Sequence, residues 1–303
     1  MSAETVPVIH TLLVTDKDVP GEETRKGLAA LSGVQVEKVR GEEAVSRIES
    51  LPDLALVLVD AAVGESEGAS LVSELRRLDP TLRIIWLGQA VALGRFGAFP
   101  PDRILPTPDA NALSDAIRDL LRFDVYSPPI VRALHDCTVG ALEGAFKSPV
   151  TDTRECFKAN QLMFASTAAI VPFSGPKLSG WCLVTGDDEA LAGIRERTLQ
   201  SAEQPNRAEL EDVAGELANH IFGYMKSWFI RQGVKLSHGA PLLLYGPECR
   251  LRERGGCLAV VVRPDIDRGT LWVQLSFNLG SGVELEAPDE PVKIGSGAFE
   301  LLS

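Results

Sequence analysis

Six consecutive apolar residues, Leu54-Ala-Leu-Val-Leu-Val59, lead directly into Asp60. A run without polar alternation has no solvent face, so as a strand it must be covered on both sides. The same signal recurs along the first 120 or so residues. Apolar runs at 8–14, 34–39, 83–87 and 103–105 alternate with helical periodicity at 22–31, 44–48, 69–78 and 111–121. Repeated βα units with buried strands predict an α/β domain built on a parallel sheet, with helices on both faces.

The pattern breaks at 122–129. Tyr126-Ser-Pro-Pro129 offers a serine N-cap followed by prolines in the first helical turn. Two domains are therefore expected, 1–124 and 125–287, followed by a Pro/Gly-rich tail at 288–303. The second domain reads as a helix at 130–147, strands at 164–171 and 180–184 joined by a loop at 172–180, and a helix at 188–199. The longest helical pattern of the chain, 207–232, comes next. Pro205-Asn206 opens it and Gly233 closes it. Strand-like segments follow at 234–245, 256–262 and 269–277. Helices alternating with hairpin strands predict an α+β domain with a mostly antiparallel sheet.

Composition excludes several functions. The formal net charge is −12, whereas nucleic-acid binding and attraction to anionic membranes both need clustered Lys and Arg. Neither a nucleic-acid partner nor membrane insertion is expected, because the apolar runs are far shorter than a bilayer span. Five cysteines, an odd number without C-x-x-C spacing, fit reduced thiols in the cytoplasm better than a zinc or disulfide framework.

The first domain resembles the receiver domain of bacterial response regulators, a flavodoxin-like fold, over residues 8–122. Asp60 stands where that family carries its phosphoacceptor, Gly68 follows eight residues later, and Asp16 matches one member of the acidic pair after the first strand. The departures are as informative. Thr15 replaces the other acid, Lys17 follows, Gly88 stands at the Thr/Ser position, and Thr107 replaces the lysine before Pro108. Phosphoryl transfer needs a divalent cation and fixed donors around the moving charge. Asp60 as a residual phosphoacceptor, with Asp16 and Asp60 as the remains of a metal site, is therefore one reading. A receiver fold kept as an interaction module is the better one.

The second domain carries Asp212-Val-Ala-Gly-Glu216-Leu-Ala-Asn219-His-Ile-Phe-Gly223 on its long helix. At about 100° per residue, Glu209, Asp212, Glu216, Asn219 and Gly223 share one sector. Leu210, Val213, Ala214, Leu217, Ile221, Tyr224 and Trp228 fill the opposite side. Glu216 and Asn219 thus face outward one turn apart and can touch one object, while Gly223 leaves backbone near the surface. An acid, a Glu and an Asn at i, i+4 and i+7 resemble the CheC/CheX/FliY chemotaxis phosphatases, CheX most closely. Two-site members repeat the motif on the first helix. Here the corresponding stretch is Glu143-Gly-Ala-Phe146, without the Asn, so one site at most is expected.

That resemblance implies a phosphatase acting on the phospho-aspartate of a separate CheY-like response regulator. Asn219 would orient the attacking water and Glu216 would pair with the regulator's lysine, with Asp212 and Gly223 in support. It implies no cofactor of the chain's own, Mg2+ on the partner receiver, and a homodimer formed through the CheX-like domain. The alternative is a non-catalytic adaptor that binds regulators or polarity and motility partners through both domains. His220, beside Asn219 but about 100° round the helix, reads as an ordinary edge histidine.

Overall fold

The computed structural model describes residues 7–18, 21–51, 53–79, 82–89, 96, 100–106, 109–121, 125–158, 166–246, 257–264 and 269–279. Thr107 and the Pro/Gly-rich tail lie outside these. The chain divides into two compact units. The first comprises 1–126 with 155–164 and 250–259, and the second comprises 127–154, 165–249 and 260–303.

The first unit is a five-stranded sheet. Its strands are β1 (Ile9–Val14), β2 (Val34–Val39), β3 (Leu54–Asp60), β4 (Ile84–Leu87) and β5 (Arg103–Leu105), in the order β2-β1-β3-β4-β5. Every pairing is parallel. The helices are α1 (Glu22–Ala29), α2 (Ala44–Ser50) and α3 (Glu65–Leu78) between strands, and α4 (Ala110–Leu121) after β5. All six apolar residues of β3 are buried, as a central strand covered on both faces requires, whereas edge strand β2 alternates with exposed positions. Gly68 is needed for packing: a Cβ there would lie 2.6 Å from the Trp86 ring. That indole is wholly buried and meets Phe96 edge-on at 5.6 Å. The strand order reverses direction at β1/β3. In open sheets of this kind, functional groups gather beyond the C-terminal strand ends at that point, where Thr15, Asp16 and Asp60 stand.

The second unit opens with α5 (Pro128–Gly140), which continues as one π-helical turn over 141–145. Strands β6 (Val150–Lys158), whose residues from Glu155 on fall in the first unit's range, β7 (Thr167–Ser174) and β8 (Leu178–Gly186) follow. Then come α6 (Asp188–Leu199), α7 (Arg207–Arg231), β9 (Ser237–His238), β10 (Leu242–Tyr245), β11 (Cys257–Pro264) and β12 (Leu271–Leu279). The sheet order is β10-β7-β8-β12-β11-β6, with β9 also on β7. The pairs β10/β7, β7/β8, β8/β12 and β7/β9 are antiparallel. Helix α7 lies across β7 and β8, and α5 and α6 pack on it. Phe222 stacks on Phe173 at 4.7 Å, and Phe229 meets Trp228 at 5.0 Å and Phe277 at 6.0 Å.

Three local readings change. The segment 172–180 is not a loop, because β7 runs through Pro172 to Ser174 and β8 starts at Leu178, leaving a three-residue turn. Pro172 is tolerated because its carbonyl is the group in use, accepting from Gly239 N. Strand β6 was not anticipated; its charged alternate residues hide a strand whose Glu155, Cys156 and Phe157 are buried. The segment 234–245 splits into β9 and β10 around Gly239-Ala-Pro241.

Candidate functional site

Helix α7 begins with a capping box. Asn206 accepts from Glu209 N at 3.2 Å, and Glu209 in turn accepts from Asn206 N at 2.8 Å. Glu209 also holds Arg195, at 2.5 Å. This acid therefore serves the helix start and leaves the outward sector to the others. The capping bond and Arg195 together keep its carboxyl below the ordinary carboxylate value.

Along the helix, Leu210, Ala214, Leu217, Ile221 and Trp228 are buried, joined by Ala218, Phe222, Met225 and Phe229. Val213 and Tyr224, expected with them, are only half-buried. Asp212 and Glu216 are exposed, and Asn219 and Gly223 are half-buried. A Cβ on Gly223 would meet nothing within 4 Å, so no packing demands glycine there. The sector Asp212–Glu216–Asn219–Gly223 thus presents a carboxylate and an amide to solvent, one turn apart, on a helix fixed by its buried side.

His220 borders this sector. Its ring meets Phe146 edge-on at 5.3 Å and Tyr224 at 6.5 Å. Burial lowers its pKa, and the Glu216 carboxylate opposes that in part. Phe146 occupies the position where a second motif would place its Asn, and it is buried. Glu143 turns away to accept from Val150 N at 3.4 Å. The first helix therefore uses its remnant for packing, through Phe146, and for a hydrogen bond to the start of β6, through Glu143.

In the first unit, Asp60 is enclosed by donors. Thr15 Oγ1 donates to Oδ2 at 3.2 Å, and Ala62 N donates to Oδ1 at 2.9 Å. Lys17 Nζ lies 3.3 Å from both oxygens. Asp16 is exposed and accepts from Gly41 N at 3.4 Å. The structure joins Asp60 to Thr15 and Lys17 and places Asp16 on a different partner. Lys17 carries no expected role in the sequence, where its one signal is a cation next to the acidic pair.

Residues 167–263, which contain all of α7, match the family model described as chemotaxis phosphatase CheX. This part of the chain is CheX-like. Similar solved structures include a putative chemotaxis protein of Desulfovibrio vulgaris Hildenborough (17% identity, TM-score 0.43, 48% of this chain and 94% of that one). Another is a CheX–CheY complex with BeF3 and Mg2+ from Borrelia burgdorferi (14% identity, TM-score 0.39, 48% and 96%). A third is a signal receiver domain of an HD domain-containing protein from Pseudomonas fluorescens Pf-5 (21% identity, TM-score 0.34, 42% and 96%). No curated protein matches the chain. The CheX likeness thus covers 167–263, and the first unit has the all-parallel β2-β1-β3-β4-β5 sheet expected of a receiver-type fold. Among the described residues, no helix is long and apolar enough to cross a membrane.

Proposed function

We propose that the chain is a phosphatase for the aspartyl phosphate of a separate, CheY-like response regulator, working in the cytoplasm. The observation that carries this reading is the pair Glu216 and Asn219, side by side and accessible on α7, inside the segment that matches the chemotaxis phosphatase model. Neither residue is a nucleophile. A phosphorylated receiver brings the acyl phosphate, its Mg2+, a lysine and a hydroxyl, and its transition state is loose. What remains to be supplied is position. The Asn219 amide accepts and donates hydrogen bonds, so it can hold a water in line with phosphorus. The water oxygen bonds to phosphorus as the phosphorus–carboxylate bond breaks, leaving inorganic phosphate and a free aspartate on the partner. The Glu216 carboxylate pairs with the partner's lysine and sets the register of the two proteins. Asp212 adds negative charge beside Glu216, and Gly223 lets the partner come close.

The test is loss of phosphate from phosphorylated CheY-like regulators with wild type, Glu216→Ala and Asn219→Ala. Asn219→Ala is expected to cost roughly 100-fold in rate. Glu216→Ala is expected to act mainly on half-saturation. A wild-type chain that accelerates none of the native regulators would sink the reading.

The homodimer belongs to the same proposal. Strand β10 is an edge strand that exposes Leu242, Leu243 and Tyr245. Such an edge favours pairing with a second copy. Leu243→Glu should shift the mass seen by light scattering towards a monomer.

The adaptor reading draws on the first unit, where Lys17 already pairs with Asp60. It predicts regulator binding without phosphate release.

A further inference from the structure

A receiver fold implies a divalent cation at the carboxylates beyond β1 and β3, and with the Lys17 ammonium on both Asp60 oxygens the residues present do not fit one. Magnesium takes near-octahedral oxygen ligation, usually from one or two carboxylates and several waters. Asp16 is turned to Gly41 N, and Thr15 stands at the other acidic position as a hydrogen-bond donor to Asp60. Among the described residues, no three His, Cys, Asp or Glu side chains gather as a metal site.

Of the four departures from the receiver pattern, the three at Thr15, Lys17 and Gly88 are mutually consistent. Lys17 N donates to Thr15 Oγ1 at 3.2 Å, which leaves the hydroxyl hydrogen to Asp60 Oδ2. The same residue's ammonium then spans both Asp60 oxygens at 3.3 Å. A second carboxylate in place of Thr15 would repel Asp60, whereas the hydroxyl bonds to it. Beyond β4, Gly88 has φ +144°, and a Cβ there would lie 2.3 Å from Ala61 Cβ. The hydroxyl side chain that receivers carry at that position is therefore sterically excluded, not merely absent. Asp60 retains 13% side-chain exposure and both its oxygens accept at least two donors.

We propose that Lys17 is a tethered substitute for the divalent cation, so that the acidic site of the first unit is neutralised from within and the unit holds one state without metal or phosphoryl group. Lys17 is held by its own backbone bond to Thr15 and by position beyond β1, so its ammonium has a high effective concentration at Asp60. The pair is half-exposed at the lysine, which makes it modest in stability yet sufficient to occupy the carboxylate.

The experiment uses the full chain and Mn2+ as the probe, with bound ion counted by electron paramagnetic resonance. Wild type is expected to show no Asp60-dependent binding. Lys17→Ala should bind Mn2+ at least about tenfold more tightly than wild type, and Asp60→Asn in the Lys17→Ala background should abolish the gain. The melting temperature should move little in Lys17→Ala, because the lysine is more than half exposed. Wild type binding Mn2+ as tightly as Lys17→Ala, in an Asp60-dependent way, would overturn the proposal. So would a Lys17→Ala protein that gains no affinity.

Discussion

Gly223 separates the needs of the fold from those of the proposed docking face. It lies inside α7, where glycine costs about 0.8–1.0 kcal/mol relative to alanine. A Cβ there meets nothing within 4 Å, so Gly223→Ala has no steric penalty to offset that gain. The substituted protein should be more stable by about 1 kcal/mol, with an unchanged denaturant slope and a melting temperature about 2–4 °C higher. Gly223→Trp should also match or exceed wild-type stability, because tryptophan is a better helix former than glycine. Activity should move the other way. Gly223 lies four residues beyond Asn219, about 6 Å along the axis. A receiver domain has a radius of gyration of roughly 13 Å, so a partner seated on Glu216 and Asn219 must cover Gly223. An indole there should raise the half-saturation concentration for phosphorylated regulator about tenfold or more, with a smaller effect on the saturated rate. Stability is read from urea melts, and activity from phosphate release at varied regulator concentration. Unchanged kcat/KM in Gly223→Trp would refute docking over this sector. Destabilisation in Gly223→Ala would refute the claim that the fold does not need the glycine.

Asn206→Ala removes the capping box of α7 and should cost about 1 kcal/mol in urea melts, with activity retained at temperatures where the fold persists. Gly180→Ala should be far worse. Its Cβ would fall 2.1 Å from Ser276 O and 2.7 Å from Phe277 Cα on the paired strand, so a loss of about 3 kcal/mol or non-native expression is expected, measured by circular dichroism melts. Stability should also fall below neutral pH through His220 and His238, whose pKa values burial lowers. The unfolded chain takes up protons near the ordinary value of 6.5 before the folded chain does. The contribution is complete above that value and declines as pH falls through it, until the folded values are passed. Urea melts from pH 8 to 5 check this, and His220→Gln with His238→Gln should flatten the decline.

Much of the fold was legible because its strands and helices are locally unambiguous. Edge strand β2 and short β5 lie where the apolar runs place them, and Asn206 caps α7 as its position before the helical pattern predicts. Legibility failed where long-range pairing overrides local signals. Gly and Pro at 172–180 read as a loop, yet 172–174 and 178–179 are strand residues, and Gly180, expected at the start of its strand, is where only a glycine lets the chain approach Ser276 and Phe277 so closely. Strand β6 is hidden by charges at alternate positions. On α7, period alone placed Glu209 with the outward residues, because a helical wheel cannot show that the first turn uses its acid for capping. Lys17 was opaque for a related reason. Its partner Asp60 is 43 residues away, and only the parallel pairing of β1 with β3 brings them together.

The two units bear opposite relations to the same chemistry. Aspartyl-phosphate hydrolysis needs an acyl phosphate with a cation, a lysine and a hydroxyl around it, and a positioned water. The proposed site on α7 offers only the last of these and a carboxylate for the lysine, so it is incomplete until a partner brings the rest. The first unit has Asp60 at the position of a receiver's acceptor, but Lys17 and Thr15 occupy its oxygens and Gly88 leaves no space for the hydroxyl side chain. A chain that regulated itself would need Asp60 free to accept phosphate. On the two proposals above, an Asp60 neutralised from within leaves the substrate of Glu216 and Asn219 to be brought by another protein. The same proposals make the first unit a receiver-shaped surface whose form does not change with phosphorylation. Removing Lys17 should therefore alter cation binding by the first unit and leave phosphate release from the partner regulator at the wild-type rate.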